Sequence, residues 1–411
     1  MQWAEVSGGS KMKNIKLLFI AFFSFALLVP ATPAPASEAA PRFWGPISGL
    51  TDEQLALFEE GKEEFAEIDG VGDGLGPVFN GESCAECHIL PAIGGSSAIT
   101  VTRFGTIRGG KFDPLEELGG PLIQSKGIRL GNSVLSPEVV PPGATLVGRR
   151  ETPPLFGLGL IEAIPDEVLL LLADPDDRNG NGISGRANIV KDVATGKTRV
   201  GRFGWKAQIA TLMTFSADAY VNEMGITNDL FPTENAPQGS LEVLKAFDLV
   251  PDPEDLPDPK TGRRDIDNLT NFMRFLGPPP RKPASVSSVV GEILFGAIGC
   301  ASCHTPVLFT GRSDVKALSF KPVVLYSNLL LHDMGPQLAD GIEQGQANGR
   351  EFRTTPLWGL SASAPYMHDG RAKTIKESIL LHDGESYRSR RNFQRLPGLF
   401  QGFILKFLET L

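Results

Sequence analysis

Cys84-Ala85-Glu86-Cys87-His88 recurs as Cys300-Ala301-Ser302-Cys303-His304, and no other feature limits so strongly what this chain can become. Cys-x-x-Cys-His is the attachment pattern for c-type haem. Two thiols at that spacing can each bond one haem vinyl group, and the adjacent imidazole then reaches the iron as proximal ligand. A bare Cys-x-x-Cys also suits zinc or a redox dithiol. Zinc calls for a second Cys or His pair nearby, which neither copy has, and a dithiol leaves both histidines unexplained. The pattern predicts two covalent haems: one on Cys84 and Cys87 with His88 at its iron, the other on Cys300 and Cys303 with His304. All 4 cysteines are then used, leaving none for a disulfide or a lipid anchor.

At 411 residues the chain can form two or three domains with cores of their own. Its 41% apolar and 21% charged residues are ordinary for a globular protein. The 46 Gly and 32 Pro predict short helices joined by much loop. Lys11, Lys13 and Lys16 precede an apolar run from Leu17 to Val29, and Ala34-Pro35-Ala36 offers a small-x-small cleavage site. That is the layout of an export signal over residues 1–36, with Met12 an alternative start. The run falls short of the ~20 residues a membrane-spanning helix needs, so the processed chain is not expected to span a membrane. Export to the periplasm agrees with the haem motifs, because c-type haem is attached outside the bacterial cytoplasmic membrane. Removing residues 1–36 takes the net charge from −9 to −11. An acidic chain lacks the basic footprint of a nucleic-acid binder. It suits a small basic electron donor, or simply a solvated acidic surface.

Thr51 and Gln54 frame a capping box, and Leu55, Phe58 and Phe65 follow at helical spacing, predicting a helix from about Asp52 to Glu67. Val289, Ile293 and Leu294 form a comparable apolar run ahead of the second motif. A helix feeding each motif is what a cytochrome c domain needs. The repetition extends to Glu151-Thr152-Pro153-Pro154-Leu155-Phe156-Gly157-Leu158, echoed by Arg353-Thr354-Thr355-Pro356-Leu357-Trp358-Gly359-Leu360. The unit is therefore written twice. Gly277-Pro278-Pro279-Pro280-Arg281-Lys282-Pro283 reads as a stiff seam. The expected division is a signal over 1–36, an N-terminal haem domain with insertions over 37–276, a proline-rich linker over 277–285 and a C-terminal cytochrome c domain over 286–411. In the longer first unit Asp177, Asn179 and Asn181 alternate ahead of Gly182, like the first half of an EF-hand calcium loop. Asn188 holds the place of the acidic twelfth ligand, so a plain Asx-rich turn is the competing reading.

Each proximal histidine leaves one iron face to be closed or left open. Besides His88 and His304 the chain has His332, His368 and His382, all in the second unit. Thr374 and Glu377 predict a capped helix in which Ile375, Ile379 and His382 share a face. His382 is therefore the expected distal ligand opposite His304. His332 and His368 fit propionate contacts or structural roles, and Met334 and Met367 are weaker rivals as ligands. The first unit has no second histidine. Its distal candidates lie in Asn222-Glu223-Met224-Gly225: Met224 as a ligand, or Glu223 as a general acid–base group beside an open iron.

With these residues assembled, the chain resembles the bacterial dihaem cytochrome c peroxidase superfamily, and most closely its di-haem oxidoreductase branch, sometimes labelled thiol oxidoreductase. The resemblance covers nearly all of the processed chain. It is carried by Gly76 to Gly95, Phe156 to Pro165, Gly201 to Phe231, Leu329 to Gly335 and Phe352 to Glu385. In the better-known peroxidases the distal ligand of the electron-storing haem lies on the helix after a His-Asp-Gly turn and is usually methionine; His382 holds the matching position here. Trp205 resembles their inter-haem tryptophan, and Asn222-Glu223-Met224 loosely resembles the context of their distal carboxylate. Calcium between domains is also a habit of the superfamily. The resemblance implies a mainly α fold of two cytochrome c-like domains with long loops, each binding one covalent haem. It implies a periplasmic, peroxidase-like oxidoreductase that takes electrons from a small cytochrome or cupredoxin at the C-terminal haem and delivers them to peroxide at the N-terminal one. A non-enzymatic electron carrier with both irons six-coordinate is the alternative, and oxidation of thiols or of a partner protein is a third reading.

Overall fold

The computed structural model describes residues 45–411; the export signal expected over 1–36 lies outside the described residues. Helix α1 (Asp52–Ala66) starts at the expected capping box: Thr51 Oγ1 accepts from the Gln54 amide at 3.2 Å, and Gln54 Oε1 accepts from the Thr51 amide at 3.1 Å. It buries Phe58, Gly61 and Phe65, whereas Leu55 stays 36% exposed. Their partner is α3 (Asp265–Phe275), whose Phe272 ring lies 5.4 Å from Phe58 and 4.8 Å from Phe65. Each such ring contributes roughly 1.5–3 kcal/mol by leaving water. The helices touch at Gly61, where an added Cβ would stand 2.2 Å from the Asn268 carbonyl oxygen. Helix α2 (Leu212–Ala219) joins them through Ser216, whose hydroxyl lies 2.9 Å from that of Thr270.

The mainly α expectation fits loosely: the structure is 33% helical and 17% strand. The difference lies chiefly in the first half. Ser97–Arg108 forms a long strand with Lys111–Asp113, Leu122–Ile123 and Leu146–Thr152 as antiparallel neighbours. Ile99, Thr100, Val101 and Thr102 supply the β-branched run such a strand favours.

In the second half α4 (Val286–Ala297) packs on α6 (Gly398–Leu408). The buried face of α4 is Ser288, Gly291 and Phe295, while Val289 is 48% and Ile293 67% exposed. Two members of the apolar run ahead of the second motif therefore point out. The reason is close helix packing: a Cβ on Gly291 would stand 1.9 Å from the Phe403 carbonyl oxygen, so small residues occupy the contact. Between them α5 (Ile375–Leu381) begins at the expected Thr374–Glu377 capping box. The proline-rich strip is fastened at both ends, Gly277 N donating to Gly45 O at 3.0 Å and Lys282 N to Thr410 O at 2.8 Å.

The two halves meet along Trp205. Arg353 N donates to Trp205 O at 2.8 Å and Arg353 Nε to Gly204 O at 2.7 Å. Beside this seam Asp340 takes Arg150 at 2.7 Å and Lys206 at 3.2 Å, with all three side chains nearly sealed from water.

Candidate functional site

The first motif forms a single helical turn, Cys84–Cys87, capped by Ser83 Oγ accepting from the Glu86 amide at 3.1 Å. That turn delivers Cys84, Cys87 and His88 to one cavity of about 1120 Å³, its mouth included. His88 Nδ1 lies 3.0 Å from Gly95 O. Metal-bound histidines are usually oriented by such a bond. Burial pushes the His88 imidazole down to about 4, so at neutral pH it is uncharged and able to ligate. Burial also pushes the Cys87 thiol up to about 11 and Cys84 higher still, the nearby Asp69 and Glu64 adding to it. Thiols held that high are poor nucleophiles, which disfavours dithiol chemistry.

The same cavity receives Glu223 and Met224. Both come from a π-helical turn, Tyr220–Met224, that continues α2; such turns recur at functional sites. The turn is tied to the approach to the first motif, since the amides of Asn80 and Gly81 donate to Glu223 O at 2.7 and 3.1 Å. Asn80 Nδ2 also donates to Glu223 Oε2 at 3.0 Å. Burial raises the Glu223 carboxyl to about 7, against the opposing pull of Arg103 and Asn80. Met224 is 3% exposed.

The second motif opens a cavity of about 1370 Å³, mouth included, and it also contains His382. His304 Nδ1 lies 3.0 Å from Tyr326 O, and His382 Nδ1 lies 2.7 Å from Ser378 O. Each ring, donating through Nδ1, leaves Nε2 free. Their centroids are 6.3 Å apart. A ring nitrogen sits about 1 Å from its centroid and a metal–imidazole bond is about 2 Å, so two imidazoles flanking one metal have centroids about 6 Å apart. Burial pushes His304 down to about 3, with His382 adding to it, and burial lowers His382 as well. Both rings are in the neutral state that ligates. His382 is the C-cap residue of α5, and Ile375 and Ile379 line the cavity with it.

A family model described as Di-haem oxidoreductase, putative peroxidase, matches residues 139–411. The chain belongs to this family. Haem is accordingly its cofactor, and the two cavities fit it: each joins two thiols to a neutral imidazole, and the second adds another imidazole at a spacing that suits one metal between them. No curated protein matches the chain. Similar solved structures include hydrazine synthase of Kuenenia stuttgartiensis, at 13% identity over 93% of this chain and 99% of that one, with a TM-score of 0.38. A MauG-like protein associated with microbial copper homeostasis is similar at 16% identity, over 92% and 95%, with a TM-score of 0.41. The diheme peroxidase BthA from Burkholderia thailandensis is similar at 14% identity, over 87% and 86%, with a TM-score of 0.37.

In this di-haem oxidoreductase Trp205 lines both cavities, and its Nε1 donates to Glu151 O at 2.9 Å. His368 is buried beside it, its ring 6.4 Å from Trp205 and stacked 4.1 Å from Phe352. His332 has both nitrogens engaged, Nδ1 at 2.8 Å from Glu385 and Nε2 at 3.0 Å from Asn328, and it lines the second cavity. Met334 and Met367 line that cavity too. Asp177, Asn179 and Asn181 lie apart from both. Asp177 Oδ1 accepts from the Asn181 and Gly182 amides at 3.0 and 3.1 Å, Asn179 Oδ1 from the Asn181 amide at 3.0 Å, and Asn181 Oδ1 from the Ile183 amide at 2.8 Å. These oxygens serve the loop's own backbone, as in an Asx turn.

Arg103 and Glu151 line the first cavity without having been singled out by sequence. They stand on neighbouring strands of the four-stranded sheet. Burial pushes the Glu151 carboxyl up to about 8.

Proposed function

We propose that the chain acts in the periplasm as a dihaem c-type oxidoreductase of peroxidase type. It takes single electrons from a small cytochrome or cupredoxin at the His304 site and passes them to the His88 site. There peroxide is reduced with two electrons and two protons to two waters. The observation that carries this reading is the inequality of the two cavities. One presents two imidazoles, His304 and His382, with ring centroids 6.3 Å apart. The other presents a single imidazole, His88, together with a carboxyl held near neutrality, Glu223.

Each haem, once bound, supplies a one-electron redox centre, and an iron with an open face also supplies a place for peroxide. Glu223 does the proton work. Near pH 7 a useful fraction of it is ionised, so it can take a proton from peroxide and return one to the departing oxygen. Asn80 fixes one carboxylate oxygen and leaves the other for the substrate. Arg103, in the same cavity, supports negative charge that develops there. Trp205, common to both cavities, gives electrons a short aromatic route between them. Export is supported by the signal pattern over 1–36 and by the attachment motifs. No helix of the described residues is long and apolar enough to cross a membrane.

Met224 favours a second reading, because it reaches the same cavity as Glu223 and a thioether there would close the first iron. The chain would then be an electron carrier without peroxide chemistry. EPR of the oxidised and half-reduced protein separates the two. A high-spin ferric signal, together with peroxide turnover, is expected. Two low-spin irons in every redox state and no turnover would overturn the enzymatic reading.

A further inference from the structure

Glu234 is 6% exposed, and its Oε2 atom is buried with no hydrogen-bond partner. Its other oxygen accepts from the Asn235 amide at 2.7 Å. A buried carboxylate oxygen without a partner is costly and calls for something to satisfy it. What surrounds it is more negative charge. One oxygen each from Glu234, Asp252 and Glu254 lie within 4.8 Å of one another. Two oxygens bound to one Ca²⁺ at 2.3–2.6 Å can stand at most about 5 Å apart, so a single ion reaches all three.

The three carboxylates are oriented as ligands are. The Thr227 hydroxyl lies 2.9 Å from Asp252 Oδ1 and 2.5 Å from Glu254 Oε2, one proton between two carboxylates, and the Thr227 amide donates to Glu254 Oε2 at 2.6 Å. Glu234 and Glu254 thus each have one oxygen held by a backbone amide and Asp252 shares the Thr227 hydroxyl, while the second oxygen of each has no hydrogen-bond donor among the described residues. Such outer contacts are what fix metal ligands in place. No Lys or Arg pairs with any of the three among the described residues, and the group runs from buried Glu234 through partly buried Glu254 to exposed Asp252. We propose that Glu234, Asp252 and Glu254 bind a calcium ion. Carboxylate oxygens on loops, without imidazole or thiolate, favour a hard cation, and an irregular set with room for water favours calcium over magnesium. The site is separate from the Asp177 loop.

Its location gives the ion a task. Glu234 adjoins Asn235, whose Nδ2 donates to Val221 O at 2.7 Å, within the π turn that carries Glu223 and Met224. Thr227 follows that turn by three residues. A bound ion would fasten the strips around 234 and 252–254 to the back of the first cavity.

The test uses the dihaem protein, stripped with a chelator, desalted and titrated with CaCl₂ by calorimetry, with thermal unfolding followed in parallel. One Ca²⁺ per chain is expected, bound more tightly than Mg²⁺ and raising Tm. Glu234→Gln should abolish both effects, yet without calcium it should melt no lower than the parent, because a buried charge has gone. Should that variant fail to fold, Glu254→Gln decides, with an expected loss of at least about tenfold in calcium affinity. Asp177→Asn should leave binding unchanged. Absence of binding at millimolar calcium, unchanged affinity in the Glu234 and Glu254 variants, tighter binding of Mg²⁺, or loss of binding on Asp177→Asn would each overturn the proposal.

Discussion

A carboxyl near neutrality matters only if it is held where the chemistry happens, and Glu223 is held in the first cavity through the backbone more than through its own side chain. Its carbonyl is bonded by the amides of Asn80 and Gly81, so the residue stays in place even if its charge is removed. Glu223→Gln should therefore keep the first site's haem and its spectrum, and lower peroxide turnover by roughly 10²–10⁴. An unchanged kcat would remove Glu223 from the proton transfer. His382 invites the complementary change. Replacing an imidazole by a thioether at an axial position raises a haem potential. Spectroelectrochemistry of His382→Met should find the C-terminal potential raised and the N-terminal one unmoved; no shift would mean another residue faces His304. That His304 and His382 would share a cavity was legible because a motif and a helical spacing each announce themselves locally in the sequence. Arg103 and Glu151 were not, since a long strand does not announce which of its residues will meet a cavity completed more than a hundred positions later.

The pairing of α1 with α3 carries an electrostatic load that its apolar contacts outweigh. Glu64 lies on α1 and Asp265 begins α3, with Asp69 close to both. Burial first, then the neighbouring carboxylates, raise Glu64 from 4.5 to about 8 and Asp69 from 3.8 to about 7; Asp265 is raised as well. The folded protein thus binds protons here that the unfolded chain has already released. Stability from these groups is greatest below about pH 4 and is lost as pH rises through 7 to 8. Thermal unfolding of the dihaem protein at about pH 5.5 and about pH 8 should give a smaller difference for Glu64→Gln than for the parent, with the variant the more stable at the higher pH. Equal pH dependence would mean the cluster is solvated and carries no such load. The apolar half of this pairing was readable, because Thr51, Gln54, Phe58 and Phe65 obey local rules. The four-stranded sheet and the outward turn of Val289 and Ile293 were not, for pairing register and close glycine packing depend on partners distant in sequence.

Across the whole molecule, Asp340 is one of the groups that join the two haem cavities. Its carboxylate takes Arg150, which lines the first cavity, and Lys206, which follows the shared Trp205. The Lys206 ammonium also lies 3.8 Å over the ring of Phe352, which lines the second cavity. The cations are tuned by this contact: burial pushes Lys206 down to about 8 and Arg150 down to about 10, with Asp340 pulling both upward. Removing the carboxylate leaves two buried positive charges facing each other without a counterion. Breaking a buried ion pair from one side costs about 3–5 kcal/mol. Asp340→Ala should therefore lower Tm by several degrees, and the part of the loss that comes from charged Lys206 should shrink as pH rises towards about 8, where Lys206 gives up its proton in the parent. A purely local role would leave both haem spectra intact. A role in holding the halves together predicts that they change jointly, because Arg150 and Phe352 would move with the strips that carry them. Joint spectral change with destabilisation would tie the geometry of electron transfer to this one carboxylate; destabilisation with two unaltered spectra would restrict Asp340 to stability alone.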